Sequence, residues 1–396
     1  SQAQTQANDL IRIFLPIVVA VSAATALFWG LTGTWMDAVL NSMAVLLVAC
    51  PCALGLATPV AISQGLFRLA QLGLVSRDGA LIDVLARTRR VFFDKTGTLS
   101  ESDLRVTELW VDTDLPIKRD ELLASVLAAE SGQEHPVARA LTKYLKSEGI
   151  EDSCELQNLQ IVAGQGIAYN FDAGEVRHRF QVGEASLAGS DQAIEEVVKA
   201  LHESKGRRVF VYLDDRVVAC LVLGERLRVG VDQIWATLDA LEIRSHILTG
   251  DPFPELTLPP GVKIEQGLSS ADKVERVRDS AGAGESPLFV GDGINDVAAM
   301  LQASASIAMH AGAGLARSVA MGQLSDDQIE VIPRAVSLSR AILRKLRGNL
   351  LYAFVYNLIG MALAAAGLLH PVAAALIMLV SSFWVTARAL SGHPRI

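Results

Sequence analysis

At 396 residues the chain is long enough for two or more domains, and a hydrophobic content of 51% is high for a soluble enzyme. Charged residues make up 20%, too many for a protein wholly embedded in lipid, so a mixed membrane and water-exposed protein is expected. A net charge of −8 argues against a nucleic-acid partner, whose phosphates call for a basic surface.

In chain order, residues 1–9 are polar, without an initiator Met or a signal-peptide pattern, and read as the tail of a helix from upstream sequence. Leu10 to Leu31 is apolar apart from Arg12 and long enough to span a membrane. A turn at 32–37 leads to a second apolar run, Ala38 to Ile62. Third and fourth runs, Leu346–Leu369 and Val372–Leu390, flank His370-Pro371. The turns at 32–37 and 368–371 hold no Lys or Arg, whereas Arg12, Arg68, Arg77, Arg340, Arg344, Lys345, Arg347 and Arg388 lie at the opposite ends. Basic residues mark the cytoplasmic side, so both termini and the insert from 64 to 340 are expected there. Of the four cysteines, Cys154 and Cys220 read as ordinary thiols of a reducing compartment.

The insert divides by pattern. Residues 64–90 are expected to continue as an amphipathic helical stalk broken at Gly73 and Gly79. Val91-Phe92-Phe93 predicts a strand that delivers Asp94 to a turn at Gly97. Residues 105–216 read as a separate unit of helix and alternating strands such as Arg208–Leu213. The α/β pattern is expected to resume with Val217–Leu223, a helix around 230–241, and strands at Arg244–Leu248 and Pro287–Val290. The expected divisions are therefore 1–63, 64–104, 105–216, 217–338 and 339–396, one domain inserted into another.

Chemistry collects at strand ends, where open α/β sheets bind ligands. Asp94 there can attack a phosphoryl group as a nucleophile. Thr249-Gly250-Asp251 offers a hydroxyl and backbone N–H groups to phosphate oxygens. Lys273 can neutralise developing charge, and Asp292, in Gly291-Asp292-Gly293, suits Mg²⁺. The order Asp, Thr, Lys, Asp predicts four strand-end sites of one phosphoryl-transfer centre.

Asp94-Lys95-Thr96-Gly97-Thr98-Leu99 resembles the phosphorylation signature of P-type ATPases, and residues 75–335 resemble the haloacid-dehalogenase-like fold. The resemblance implies an α/β phosphorylation domain with an inserted α+β nucleotide-binding domain, joined to a bundle of transmembrane α-helices. It places Lys95 and Thr96 with Asp94 in catalysis, and Asp292, Asp296 and Thr96 around Mg²⁺. Related phosphatases carry an Asp where Thr96 stands; without that acid–base group the acyl-phosphate should be long-lived, which favours a pump over a phosphatase. Glu130 to Pro136 and Gly164-Gln165-Gly166 look like the nucleotide-binding domain of the heavy-metal subfamily. On that likeness Glu130, His135, Gly164 and Gly166 surround ATP, the glycines letting backbone approach the ligand.

Cys50-Pro51-Cys52 falls in the middle of the second apolar run. Two residues apart on an intact helix point about 200° away from each other, but Pro51 loosens the helix, so both sulfurs can face one cavity. Reactive groups at membrane depth are functional candidates by default, and thiolates suit Cu(I) and also Zn²⁺. Tyr356-Asn357 and Met378, with Ser381 and Ser382 on its helix face, complete a set that resembles the Cu(I)-exporting group, with Ag(I) a further candidate.

Departures from the family pattern are Ser100 for Thr, Ala298 for Pro, and an altered run at His310–Leu315. The family's earlier helices, soluble metal-binding domain and actuator domain, with its Thr-Gly-Glu loop, are not matched by any stretch here. The expectation is ATP- and Mg²⁺-dependent export of Cu⁺ across a bilayer, the inner membrane of the cell, with a cytoplasmic copper donor and an actuator-containing half as partners. Rival readings are a Zn²⁺ or Cd²⁺ pump, and a non-pumping membrane phosphatase or assembly component of the same fold.

Overall fold

The computed structural model describes residues 2–49, 52–76, 78–152, 154–162, 165–173, 176–187, 206–251, 256 and 258–390, with 194, 197, 198 and 201 from the intervening stretch. It opens with three helices, α1 (Gln2–Thr32), α2 (Trp35–Val48) and α3 (Cys52–Gln71). The turn expected at 32–37 is built by Thr34, whose hydroxyl caps α2 by accepting from the Asp37 N–H while Asp37 accepts from the Thr34 backbone. This reciprocal pair satisfies donors that a helix start leaves free. The second apolar run is not one span. Its described residues form two helices, α2 and α3, and residues 50 and 51 between them lie outside the description.

The expected helical stalk is also interrupted. After α3 the chain forms a short strand, β1 (Leu74–Ser76), and then α4 (Ala80–Arg87). β1 exists because it pairs antiparallel with a strand about 250 residues later, which local pattern cannot reveal. The next elements are β2 (Arg90–Asp94), a tight turn at 95–99, and β3 (Ser100–Val111). The inserted unit adds α5 (Arg119–Glu130), α6 (Pro136–Ser147), β4 (Gln157–Val162), β5 (Gly166–Ala173), β6 (Val176–Gly183), β7 (Arg207–Leu213) and β8 (Arg216–Leu227).

The α/β unit resumes with α7 (Val231–Ala240), β9 (Arg244–Leu248), β10 (Lys263–Glu265), α8 (Ser270–Gly282) and β11 (Leu288–Gly291). It closes with α9 (Val297–Gln302), β12 (Ala305–Ala308), α10 (Gly314–Val319) and β13 (Gly322–Leu324). Two long helices follow, α11 (Val331–Ala365) and α12 (Pro371–Leu390).

Among the described residues there are two sheets. The first runs β1-β13-β12-β11-β2-β9-β10 and is parallel except at the β1–β13 edge. Its central strands are covered on both faces, which is why β2 and β11 read as unbroken apolar runs. Phe93 and Val290 face a core shared with α4, α7 and α11, while Phe92 and Phe289 face α8, α9 and α10. The second sheet, β3-β8-β7-β6-β5-β4, is antiparallel and packs on α5 and α6.

β8 corrects the boundary placed at residue 217: Val217–Leu223 pairs with β3 and β7 and belongs to the inserted unit. β3 likewise straddles the division drawn at residue 104, entering the second sheet from Ser100.

Three described helices are long and apolar enough to cross a membrane, within Arg12–Thr32, Val331–Ala365 and Pro371–Arg388; Trp35–Val48 is apolar but shorter. Their contact core is small, around Phe14, Val45, Val48 and Met361, and the Trp29 indole donates to the Ala365 carbonyl. Their outer faces carry exposed Leu27, Phe28, Phe383 and Trp384. An apolar surface of that extent marks contact with lipid or with other helices.

Candidate active site

β2 delivers Asp94 to the carboxyl edge of the first sheet, between β9 and β11. The chain turns at once, with Gly97 at φ +77°. A Cβ at Gly97 would lie 1.9 Å from Asp292 Oδ2, so only glycine lets this turn approach the neighbouring strand end. The loop after β11 supplies Asp292 and Asp296, and the Ala313 N–H holds the Asp292 carbonyl at 2.7 Å. Oxygens of Asp94, Asp292 and Asp296 all lie within 4.8 Å of one another.

Lys273 is the counter-charge, its Nζ 2.5 Å from Asp94 Oδ1 and 2.8 Å from Asp296 Oδ1. It does not sit at a strand end as expected. It comes from the first turn of α8, whose start is fixed by a capping box between Ser269 and Asp272. Burial, then the charge of Asp296, pushes the Asp94 carboxyl up to about 7 despite Lys273. Burial and Asp296 also raise Asp292, to about 6. One ammonium among three crowded carboxylates leaves negative charge unbalanced, and an all-oxygen donor set fits a hard divalent cation such as Mg²⁺. The residues present therefore fit that ion. The Thr96 hydroxyl is turned away, donating to Glu225 Oε1 at 3.2 Å.

Beside this centre lies a second polar cluster that sequence reasoning found only in part. Lys95 pairs not with Asp94 but with Asp251, and with Glu225 at 3.3 Å. Glu225, at the end of β8, also accepts from the Ser100 hydroxyl at 2.6 Å. Ser100 thus keeps the hydroxyl that the usual Thr would bring, so that departure leaves the link intact. Arg228 donates to the Gly97 and Thr98 carbonyls at 2.9 and 3.0 Å and pairs with Asp327 at 3.2 Å. Glu225 and Arg228 were missed; the signal was a carboxylate closing the Val217–Leu223 run. Thr249 is buried, its Oγ1 accepting from the Asp251 N–H at 3.1 Å.

In the inserted unit, Glu130, His135 and Gly166 line one cavity of about 210 Å³, together with Gly183 and Arg207. Gly164 lies outside the described residues. His135 caps α6, its Nδ1 accepting from the Val137 N–H, and Pro136 occupies the first helical position. Gly166 has an internal reason to be glycine: opposite Gly183, a Cβ would stand 2.1 Å from the Val182 carbonyl oxygen. A larger cleft of about 550 Å³ shares His135 and Arg207 with this cavity and reaches Lys95, Thr96, Glu225 and Asp251. The two cavities are therefore contiguous, from Glu130 to the turn after Asp94.

Glu130 is buried at the end of α5, and burial raises its carboxyl to about 7 from 4.5. An acid whose folded-state value is raised loses stability as pH climbs from its unfolded value to its folded one. The native state should therefore weaken by about 3 kcal/mol between pH 4.5 and 7, and stay weakened above. We expect Glu130→Gln to melt close to wild type at pH 5 and clearly above it at pH 8. Parallel melting curves of the two proteins would sink this if their difference did not change with pH.

In the membrane helices, Cys50 and Pro51 lie outside the described residues, as does the side chain of Cys52. Asn357 is buried on α11 beside half-buried Tyr356, and Met378 and Ser382 are half-buried on α12. The Tyr356 hydroxyl, both amide atoms of Asn357 and the Ser382 hydroxyl are buried without hydrogen-bond partners among the described residues. The Ser381 hydroxyl instead donates to the Met378 carbonyl at 2.9 Å. Unpartnered buried polar atoms are costly, so this group has polar capacity in reserve for something that passes or lodges there.

Residues 88–304 match the family model described as haloacid dehalogenase-like hydrolase. The chain is 34% identical over 395 residues to a protein named probable copper-exporting P-type ATPase V of Mycobacterium tuberculosis, covering 98% of this chain and 51% of the relative. It is 31% identical to a copper-exporting P-type ATPase of Staphylococcus haemolyticus, covering 98% and 49%. It thus spans about half the length of the curated relatives it matches. A crystal structure of a zinc-transporting PIB-type ATPase in the E2.Pi state superposes with a TM-score of 0.83 at 27% identity, covering 98% of this chain and 66% of that one. With its haloacid dehalogenase-like catalytic unit built around Asp94, the chain belongs to the heavy-metal P-type ATPase family.

Proposed function

We propose that this chain carries the phosphorylation, nucleotide-binding and ion-conducting parts of an ATP-driven pump that exports Cu(I). The observation that carries the reading is the placement of Asp94, ion-paired to Lys273 and crowded by Asp292 and Asp296, in a unit continuous through α11 with the membrane helices. ATP would lie in the cavity of Glu130, His135 and Gly166, its phosphates running past Arg207 toward Lys95.

An Asp94 oxygen then attacks the γ-phosphorus, the bond to the ADP oxygen breaks, and an acyl-phosphate remains. Lys273 offsets the charge that develops on the transferred group, and Thr249 orients it with backbone N–H groups. Asp292 and Asp296, with the Thr96 carbonyl, would hold Mg²⁺, which supplies charge neutralisation at the phosphate oxygens. Lys95, locked to Asp251 and Glu225, would tie the inserted unit to the Asp94 turn.

Cu(I) is favoured over Zn²⁺ because Cys50, Cys52 and Met378 are soft donors, while α11 and α12 hold no Asp or Glu to balance a divalent ion. The zinc-transporting structural relative supports the second reading, a Zn²⁺ pump. Labelling from γ-labelled ATP with Cu(I) and Zn²⁺ side by side distinguishes them; stimulation by Zn²⁺ alone would overturn the copper reading. We place the pump in the cell's inner membrane, fed by a cytoplasmic copper donor.

A further expectation concerns turnover. No Thr-Gly-Glu occurs among the 396 residues, and Thr96 cannot serve as base for an attacking water. These residues alone should form the phosphoenzyme yet lose it slowly, completing the cycle only with an actuator-containing part. Single-turnover decay with and without an added actuator fragment tests this. Fast, steady, copper-coupled turnover without the fragment would refute it.

A further inference from the structure

On the membrane-proximal side of the catalytic unit lies a cleft of about 1130 Å³ that the pumping mechanism does not use. Its walls carry Arg87, Arg89, Arg244, Arg340, Arg344 and Arg347. The acidic residues in that lining are Glu242 and Glu285, so it sums to +4 in a chain of net charge −8, although Arg87 is itself partnered.

The charges are not all free. Glu285 is held by Arg90 at 2.9 Å and by Arg244 at 3.2 Å. Arg340 donates to the carbonyls of Leu241 and Thr88 at 2.7 and 3.1 Å, pinning the loops after α7 and α4 against α11. Arg89, Arg344 and Arg347 are different. All three are exposed, and their side chains have no partner among the described residues. Arg344 and Arg347, three residues apart on α11, share one helix face.

Depth follows from the same helix. Beyond Arg347, α11 carries no charge from residue 348 to 365, roughly 27 Å of helix and close to the thickness of a bilayer's hydrocarbon. Arg347 therefore stands at the hydrocarbon edge and Arg344 one turn outside it, at headgroup level. The tendency of cytoplasmic flanks to be basic accounts for arginines on α11. It does not account for Arg89 and Arg244 of the α/β unit converging on the same cleft.

We propose that this cleft binds the phosphate of an anionic membrane phospholipid. Arginine meets phosphate oxygens with paired donors, and basic pockets on the cytoplasmic side of membrane helices suit such headgroups. Leu343 of α11, itself buried, is an apolar side chain in the same lining. A bound lipid bridges the loop after α4 to α11, the helix that connects the phosphorylation unit to the ion-conducting bundle.

The test is lipid retention by the purified, delipidated chain, read by native mass spectrometry with phosphatidylglycerol or phosphatidylcholine added back. Wild type should retain phosphatidylglycerol selectively. The double variant Arg344→Gln/Arg347→Gln should bind it about 30-fold more weakly, from the usual contribution of two near-surface arginines. Arg334→Gln, which removes one charge from α11 outside the cleft, should stay within about twofold, against about fivefold for a single arginine inside it. Should the double variant misfold, Arg89→Gln on the other wall carries the same expectation at about fivefold.

Unchanged retention in a folded variant, or no preference for phosphatidylglycerol in wild type, would overturn the proposal. So would displacement of the lipid by glycerol 3-phosphate at equal concentration, which would make this a site for a soluble phosphate. None of these readouts depends on copper or on Asp94, so they stand or fall apart from the pumping reading.

Discussion

Replacing Asp94 with Asn is expected to lower acid-stable, hydroxylamine-sensitive labelling from ATP at least about a thousandfold, while leaving ATP binding intact. An amide nitrogen or oxygen cannot form the acyl-phosphate, so the covalent step has no substitute. The fold should tolerate the change. Asp94 is one of three crowded carboxylates, and a neutral amide can still accept from Lys273 while removing one repelling charge. ATP binding should survive because the proposed nucleotide cavity belongs to the inserted unit, on a different sheet. Titration with a fluorescent nucleotide alongside acid-gel labelling checks both halves. Labelling that persisted would move the nucleophile elsewhere and undo the proposed mechanism.

The second large effect is expected at the other end of the molecule. Cys50→Ser with Cys52→Ser should abolish Cu(I)-stimulated labelling, because a hydroxyl is a poor ligand for a soft monovalent ion. The polar atoms of Tyr356, Asn357 and Ser382 are hard donors and cannot take over that role. Nucleotide affinity should be unchanged, since no residue of the nucleotide cavity lies in the membrane helices. His135→Gln supplies the opposite pattern, with weaker ATP binding and normal copper binding. Copper transport by the double-cysteine variant would show that the membrane site has been misplaced.

What was legible in the sequence was local. An apolar run that ends in a carboxylate, followed by a glycine turn, is enough to place Asp94 at the mouth of a strand, and β2 lies there. The same reasoning found β9 and β11 and the carboxylates and hydroxyl that follow them, because parallel strands covered on both faces leave an apolar stretch with a polar end. Long apolar runs with at most one charge marked α1, α11 and α12, since a helix in lipid must be predominantly apolar along its span.

Pairing and distance were decided only by the tertiary structure. Val217–Leu223 is as apolar as any strand of the α/β unit, and burial alone cannot say which sheet it joins; hydrogen bonding to β3 and β7 assigns it to the inserted unit. Leu74–Ser76 is a strand only because β13 returns beside it. Lys273 was named from its position in the order of motifs, yet its reach to both Asp94 and Asp296 depends on where the capped start of α8 points. Glu225 shows the limit most plainly. As an isolated residue it is one surface-type carboxylate among many. It becomes the link between Lys95, Thr96 and Ser100 because β8 ends against the turn that follows Asp94, a contact between residues some 125 positions apart.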